Sequence, residues 1–542
     1  MSHSSGPRAN QPFDAVTLEI LWRRAISAVD EAAKALRRTS FSTLVNESND
    51  FACVLTDAAG HSLAQNTESI PSFIGTLPVT VKAFIREIGL DNMAPGDVLV
   101  TNTPWIATGH LNDITVAKPI FRNGRIVAFA ASTAHAPDIG GKVRSVEPRE
   151  VFEEGFHIPV MKFINAGTPD ATFLKLLRAA VRTPDQTEGD LWAQITGLDL
   201  LERRLGDLMT EYGLDDLDVF AGEILGRCER AMRAAIGKVP GGTYRYSFRT
   251  DGLDEPFTYN IAVKVEGERI LVDYAGTSPQ ADRAINCTMT YTFAMTAYAL
   301  KCALLPNLPN NEGIFRCIEV AAPEGSLVNP RFPASVGGRM ATGHYLPFAV
   351  FGALAPVLPD SIMAASGSPL WSVIQTGVRP SGKTYANVFF FNGGMGATAV
   401  NDGQNTYAWP SNVSNVPVEL IERNSPMIVH RKELREGSGG QGRFRGGLGQ
   451  AIEFEILSDT PVGMIFMAER CRFPAPGMQG GESGALGSVC IDGAPVDYRR
   501  NVVLKQGQRV LLETPGGGGL GPPSARAPAA AAHDRRESYV SK

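Results

Sequence analysis

ITVAKPIFRNGRIVAFAAST (residues 114–133) decides how the N-terminal part of the chain folds. Two apolar runs flank Arg122-Asn123-Gly124. Asn-Gly between apolar runs is the strongest short-range hairpin signal, because both residues tolerate the positive φ of a type I′ turn. A two-residue turn sets the register, so Arg122 faces Arg125. A regular ladder then carries Ala134 opposite Asp113 and His135 opposite Asn112. Pro119 has no N–H to donate and is expected at an edge or a bulge.

Upstream, residues 14–38 repeat apolar side chains near the 3.6 period of one helix. Residues 51–64 alternate like a hairpin around Asp57-Ala58-Ala59-Gly60, and Pro95-Gly96 introduces the strand DVLVTN. Downstream, residues 172–238 read as a long helical tract that Pro240-Gly241-Gly242 ends. Strand patterns follow (YRYSFRT, YNIAVKV, RILVDYAG), then two apolar helices near 289–305 and 343–356. The last hundred residues before the tail combine glycine with short strands, and no internal repeat stands out. The expected fold class is α/β in the mixed α+β sense, with several domains. The expected divisions are a disordered N-terminus (1–12), an α/β region with the site and the helical tract (13–240), a central α/β region (241–425), a glycine-rich β region (426–521) and a disordered tail (522–542).

Composition excludes several classes of function. A formal net charge of −5 leaves no basic footprint for nucleic acid. The most apolar stretch, 288–305, carries hydroxyl residues and Lys301, so it reads as a buried helix and not as a membrane span. Seven cysteines without a C-x-x-C spacing argue against a disulfide scaffold or a zinc ribbon. MSHSSGPRANQ is polar with no apolar core of a secretory signal, so the expected location is a reducing cytoplasm.

The hairpin register has a chemical consequence. TGHLND (108–113) lies at the start of its first strand and AHAPDIGG (134–141) at the end of its second. The turn therefore brings His110, Asp113, His135 and Asp138 to one open end. In a regular ladder His110 and His135 share a face, about 7–8 Å apart, while Asp113 points to the other. A joint site forms only if the backbone leaves the ladder near 110–113, which Gly109 and Pro137 permit. Two imidazoles with one or two carboxylates suit a divalent metal such as zinc, manganese or iron(II), which would lower the pKa of a bound water. On residue types alone, the same set reads equally as loop histidines in ordinary hydrogen bonds.

Two motifs are decoys. GVRPSGKT (377–384) matches the Walker A pattern, but the β-type run YANVFFFNGG follows where a helix is required, so Pro380-Ser381-Gly382 reads as a hairpin turn. GSGGQG (437–442) matches G-x-G-x-x-G, yet a strand pattern follows it too, and GGGGLG (516–521) reads as a terminal loop.

Eleven segments carry a family likeness: VTLEILWRRAISAVDEAAKALRRTSFS, SNDFACVLTDAAG, SIPSFIGTLP, PGDVLVTNTPW, TGHLNDITV, AHAPDIGG, EVFEEGFHIPV, VDYAGTSPQ, INCTMTYT, RFRGGLGQ and GGGGLG. Through them, over about residues 13–521, the chain resembles the hydantoinase B/oxoprolinase family, which is related to acetone and acetophenone carboxylase subunits. The resemblance implies a B-type subunit working with an A-type subunit of actin-like ATPase fold, in an A2B2 heterotetramer. The partner uses ATP to phosphorylate a cyclic amide, and the B-type chain hydrolyses the product at a divalent metal. The family's site maps onto His110, Asp113 and His135, with Asp50 as a further carboxylate. Asp138 is implied as a base or an orienting residue, and Glu47 as a weaker candidate of the same sort. The chain departs from many relatives at Ser69 and Phe73, where they carry a histidine pair, and at Thr103, where they carry Asp. His157 stands where relatives often have Arg, as a substrate contact or a packed loop residue. The alternatives are an ATP-dependent carboxylase subunit, a scaffold with a degenerate site, and a self-contained P-loop ATPase.

Overall fold

The structure is a computed structural model that describes residues 13–142, 145–367, 370–379 and 381–540. The N-terminus expected to be disordered (1–12) lies outside the described residues. The first sheet has seven strands: β1 (Phe51–Asp57), β2 (Ser62–Gln65), β3 (Val98–Thr101), β4 (Asp113–Arg122), β5 (Arg125–His135), β6 (Met161–Asn165) and β7 (Thr168–Pro169). Their spatial order is β2-β1-β5-β4-β3-β6-β7. β4 and β5 form the hairpin, and Asn123 (φ 51°) and Gly124 (φ 79°) take the positive dihedrals its turn demands.

Strand alternation divides the core. Phe51, Cys53, Leu55, Val116, Ala130 and Ala134 join one apolar cluster, with residues of α1 (Ala15–Thr39). Ala52, Val54, Ala117, Phe129 and Ala131 join another, beneath α3 (Pro71–Ile88), which follows the one-turn α2 (Thr43–Asn46). Helix α1 starts where the Asp14 carboxylate accepts from Val16 N and Thr17 N at 3.0 Å, an N-cap that satisfies two orphan donors.

The register of β4 and β5 differs from the regular ladder. Arg122 faces Arg125 and Phe121 faces Ile126, as the turn requires, but Ile120 faces Ala128. Val127 is therefore an extra residue on β5, a β-bulge, and every pair beyond it is shifted by one. Asp113 consequently faces His135 and not Ala134. Because side chains alternate with a period of two, this single insertion turns Asp113 to the α3 face, which His135 also occupies. Pro119 pairs with Phe129 beyond the last β3 partner, where no donor is asked of it on its outer side.

The expected helical tract is three helices: α4 (Ala171–Ala180), α5 (Pro184–Glu211) and α6 (Asp218–Ile236). Pro184 fits only a first turn, so a new helix begins there, and Gly213 at φ 64° lies in the break after α5. A second sheet of four strands follows: β8 (Gly242–Thr250), β9 (Phe257–Glu266), β10 (Arg269–Asp273) and β11 (Ile318–Ala321). The two apolar segments are helices α7 (Met289–Leu304) and, after the short α8 (Glu312–Phe315) and α9 (Met340–Gly343), α10 (Leu346–Leu354). The largest apolar cluster runs from Leu18 to Leu520, so it crosses the expected division at 240.

The first decoy motif lies between β12 (Trp371–Val378) and β13 (Thr384–Phe391), which pair with Val378 opposite Thr384. A strand and no helix follows it, although Pro380 itself lies outside the described residues. Two expectations at the C-terminus are corrected. GGGGLG is no terminal loop: residues 516–521 are buried and hydrogen-bonded to backbone at Gly447, Ala365, Glu482 and Met478. A Cβ on Gly446 would lie 1.9 Å from the Gly517 carbonyl oxygen, and one on Gly516 would lie 1.8 Å from that of Ser438, so only glycine packs there. Nor are residues 523–540 a disordered tail. The alanine-rich helix Pro528–Arg536 is held by Asp534, whose carboxylate pairs with Arg526 at 2.6 Å and with Arg445 at 3.3 Å in a buried setting. A good helix former with one well-placed counter-ion orders a segment that composition alone reads as free.

Candidate metal centre

His110 lies in the turn before β4, and Gly109 at φ 92° allows the backbone to leave the ladder there. A Cβ on Gly109 would stand 2.7 Å from Arg339 Cδ, so the turn must be glycine for close approach as well. With Asp113 and His135 paired across the hairpin, the three side chains converge in a fully buried cluster whose ligand atoms all lie within 4.8 Å of one another. The imidazole ring centroids are 5.0 Å apart.

The hydrogen bonds sort the nitrogens. His110 Nδ1 donates to the Gly337 carbonyl at 3.1 Å, and His135 Nδ1 donates to Asp113 Oδ1 at 2.8 Å. Both Nε2 atoms are buried without a hydrogen-bond partner. His110 Nε2 lies 2.8 Å from Asp113 Oδ1, a contact between a buried imidazole and a buried carboxylate. Asp113 Oδ2 accepts from Thr108 Oγ1 and Arg339 Nη2, each at 2.6 Å, and Arg339 Nε donates to the Thr108 carbonyl. The Arg339 guanidinium also lies 4.4 Å above the Tyr291 ring.

The electrostatics follow from burial. Loss of water pushes the His110 pKa down to about 3, Arg339 adds to the effect, and Asp113 only partly opposes it, so His110 is neutral at ordinary pH. Burial alone would raise the Asp113 pKa, but His110 and Arg339, with both imidazoles in close contact, hold it well below the usual carboxylate range. The site is thus an ionised carboxylate and a neutral imidazole lone pair in a dry setting, the protonation states in which such groups ligate metals. Buried imidazole nitrogens that meet no donor, oriented through their other nitrogen by a carbonyl and a carboxylate, fit a bound cation.

Asp50 stands at the rim: its Oδ2 is 3.9 Å from His135 Nδ1, and its carbonyl accepts from His135 N at 3.0 Å. It lines the same cavity as His110, His135, Phe73, Tyr291, Arg339 and His344, which leaves about 30 Å³ for an occupant. Two expectations are corrected. Asp138 is not brought into the cluster, because its carboxylate is taken by Arg182, through the backbone N–H and through Nη1 at 2.7 Å. Glu47 caps the C-terminus of α2 and does not line the cavity. His157 is exposed and its Nε2 lies in a 2.8 Å hydrogen bond with Thr103 Oγ1. Among the altered positions, Phe73 forms part of the cavity wall, whereas the Ser69 carbonyl accepts from Asn412. Sequence reasoning missed Arg339, which is 226 residues from Asp113 and carries no local signal.

Residues 14–523 match the hydantoinase B/oxoprolinase family, and the chain belongs to it. It is 30% identical, over 98% of its own length and 94% of the other, to a chain of Pseudomonas sp. (strain NS671) named as the B-type subunit of a D-/L-hydantoinase. Among solved structures it is similar to an ATP-dependent caprolactamase from Pseudomonas jessenii, with a TM-score of 0.87 and 28% identity, covering 98% of this chain and 95% of that one. An acetone carboxylase chain shares the fold at a TM-score of 0.87 with 20% identity, covering 97% of this chain and 78% of that one. All seven cysteines are unpaired, and no helix among the described residues is long and apolar enough to cross a membrane.

Proposed function

We propose that this chain is the metal-binding B-type subunit of an ATP-dependent cyclic-amide hydrolase, acting on an intermediate that an A-type partner of actin-like ATPase fold has phosphorylated in an A2B2 complex. The observation that carries the reading is the pair of buried, unpartnered Nε2 atoms beside Asp113. The names of two relatives, a hydantoinase and a caprolactamase, support a cyclic amide as the substrate class. His110, His135 and Asp113 would hold a zinc, manganese or iron(II) ion, with Asp50 in reach at the rim. Such an ion supplies a Lewis acid for a carbonyl or phosphoryl oxygen and a water of lowered pKa.

The chain's own residues do the rest. Gly337 and Asp113 fix which imidazole nitrogens carry protons, and Arg339 with Thr108 stops Asp113 from rotating. The cavity holds an ion and a water or two, and no ring, so substrate binding requires wall residues such as Phe73, Met340 and Val413 to withdraw.

The test is metal analysis of the chain purified with its partner, joined to a screen of lactams and hydantoins with and without ATP. We expect about one divalent ion per chain and ATP-dependent ring opening, both lost in His110→Ala and His135→Ala. A metal-free wild-type complex with full activity overturns the reading. Products that retain carbon from bicarbonate select the carboxylase alternative, and a metal-free, inactive chain selects the scaffold.

A further inference from the structure

Glu154 lies in EVFEEGFHIPV and touches none of the three clustered side chains, yet the geometry points to it as the positioning residue of the centre. It is 6% exposed, and its Oε1 accepts from Ser335 Oγ, from Val336 N at 2.6 Å and from Gly337 N at 2.6 Å. Its Oε2 is buried with no hydrogen-bond partner. The three donors begin a short strap, Ser335–Arg339, which meets the site at two points. The Gly337 carbonyl receives the His110 Nδ1 proton, and the Arg339 guanidinium donates to the Asp113 carboxylate. One oxygen of Glu154 therefore sets the height of the strap over both His110 and Asp113.

The fit is close on each side. A Cβ on Gly337 would lie 3.2 Å from Glu154 Oε1, tighter than ordinary contact, so the strap rests directly on the carboxylate. The turn that carries Glu154 is itself tied to the strap's approach, since Val151 N donates to the Pro333 carbonyl at 2.9 Å and Glu150 bridges Ala334. Backbone amides that lose a buried acceptor must find water or move. Movement of Gly337 by a fraction of an ångström would release the His110 Nδ1 proton to either nitrogen. Outer residues that orient ligands in this way typically change metal affinity about 10- to 100-fold when altered.

Glu154→Ala, Glu154→Asp and Glu154→Gln in the full-length chain separate positioning from mere support. Asp97→Ala is the control: Asp97 is a fully buried carboxylate that accepts from Ala94 N and Ala166 N, in the approach to the other end of β3. Two readouts are needed. Side-chain ¹⁵N spectra of the metal-free protein report the His110 tautomer, and zinc titration reports affinity. Wild type and Glu154→Gln, which keeps an acceptor at Oε1, should show His110 protonated on Nδ1. Glu154→Ala should mix the two tautomers and weaken zinc binding about 10- to 100-fold. Glu154→Asp, which withdraws the acceptor by one methylene, should do the same to a smaller degree and serves if the alanine variant does not fold. Asp97→Ala should lower thermal stability and change neither readout. An unchanged tautomer in both Glu154→Ala and Glu154→Asp overturns the assignment, as does an equal change in Asp97→Ala. The tautomer arm stands apart from the metal reading on which the affinity arm rests. A tautomer shift in a protein that binds no zinc sinks the metal centre and leaves the positioning role in place.

Discussion

The end of the first sheet that carries His110, Asp113 and His135 and the glycine weave at 516–521 are both buried, and they are built on opposite principles. In the first, side chains do everything: two imidazoles, a carboxylate and a guanidinium reach one point from segments far apart in the chain. In the second, the absence of side chains does everything, because backbones pass each other where a Cβ would meet a carbonyl oxygen at about 2 Å. A substitution at the centre should therefore cost function first and stability second. In the weave the order should reverse.

The largest effect is expected from Gly446→Ala, whose Cβ would lie 1.9 Å from the Gly517 oxygen against backbone that cannot yield. The loss should exceed about 4 kcal/mol, read as a lack of soluble, cooperatively unfolding protein. A stable Gly446→Ala protein would break the contrast. Insertion of one alanine after Val127 comes next. With the one-residue bulge retained, the lengthened β5 places Ala134 opposite Asp113 and carries Asp113 to the face opposite His135, so zinc affinity should fall more than about 100-fold while the hairpin can still form. Retention of tight zinc binding would show that the register does not set the site.

A smaller effect separates the two ends by pH. Burial pushes the Glu154 carboxyl from an ordinary 4.5 up to about 7. A carboxyl whose folded pKa is raised binds its proton more tightly in the folded state, so its contribution to stability is fully present below pH 4.5 and is lost as pH rises through about 7. Denaturant unfolding from about pH 4 to 8 should show wild type losing on the order of 3 kcal/mol relative to Glu154→Gln across that window. A constant difference between the two would refute the buried, raised carboxyl. The smallest effect is Gly124→Ala at the hairpin turn. Its φ is 79°, but nothing lies within 4 Å of the added methyl, so the cost should be about 1 kcal/mol of backbone strain with unchanged zinc binding, measured by thermal unfolding. The same Gly-to-Ala change thus spans the range from unfolding to a minor shift, according to what the Cβ meets.

Much of the fold was legible because it is local. The Asn123-Gly124 turn, the apolar period of α1, and the strand that follows GVRPSGKT all report on neighbours in sequence. α3 was not legible, since Pro78 sits inside it and Pro71 opens it. The breaks within the helical tract are marked only by Pro184 and Gly213, and the helical periodicity on both sides masks them. The C-terminal helix was hidden because its anchors, Arg445 and Arg526, are ordinary arginines until Asp534 reaches them.

At the site, residue types and one turn were enough to bring His110, Asp113 and His135 to the same end of a hairpin. Spacing alone put Asp113 on the wrong face. The extra residue at Val127 corrects it, and a bulge leaves no residue signature, because any side chain can be the one that does not pair. The sequence by itself determined which groups are available and that a turn gathers them. Only the tertiary structure decided their faces, their protons and their counter-ion, because those depend on a register shift and on a strap, Ser335–Arg339, more than two hundred residues away.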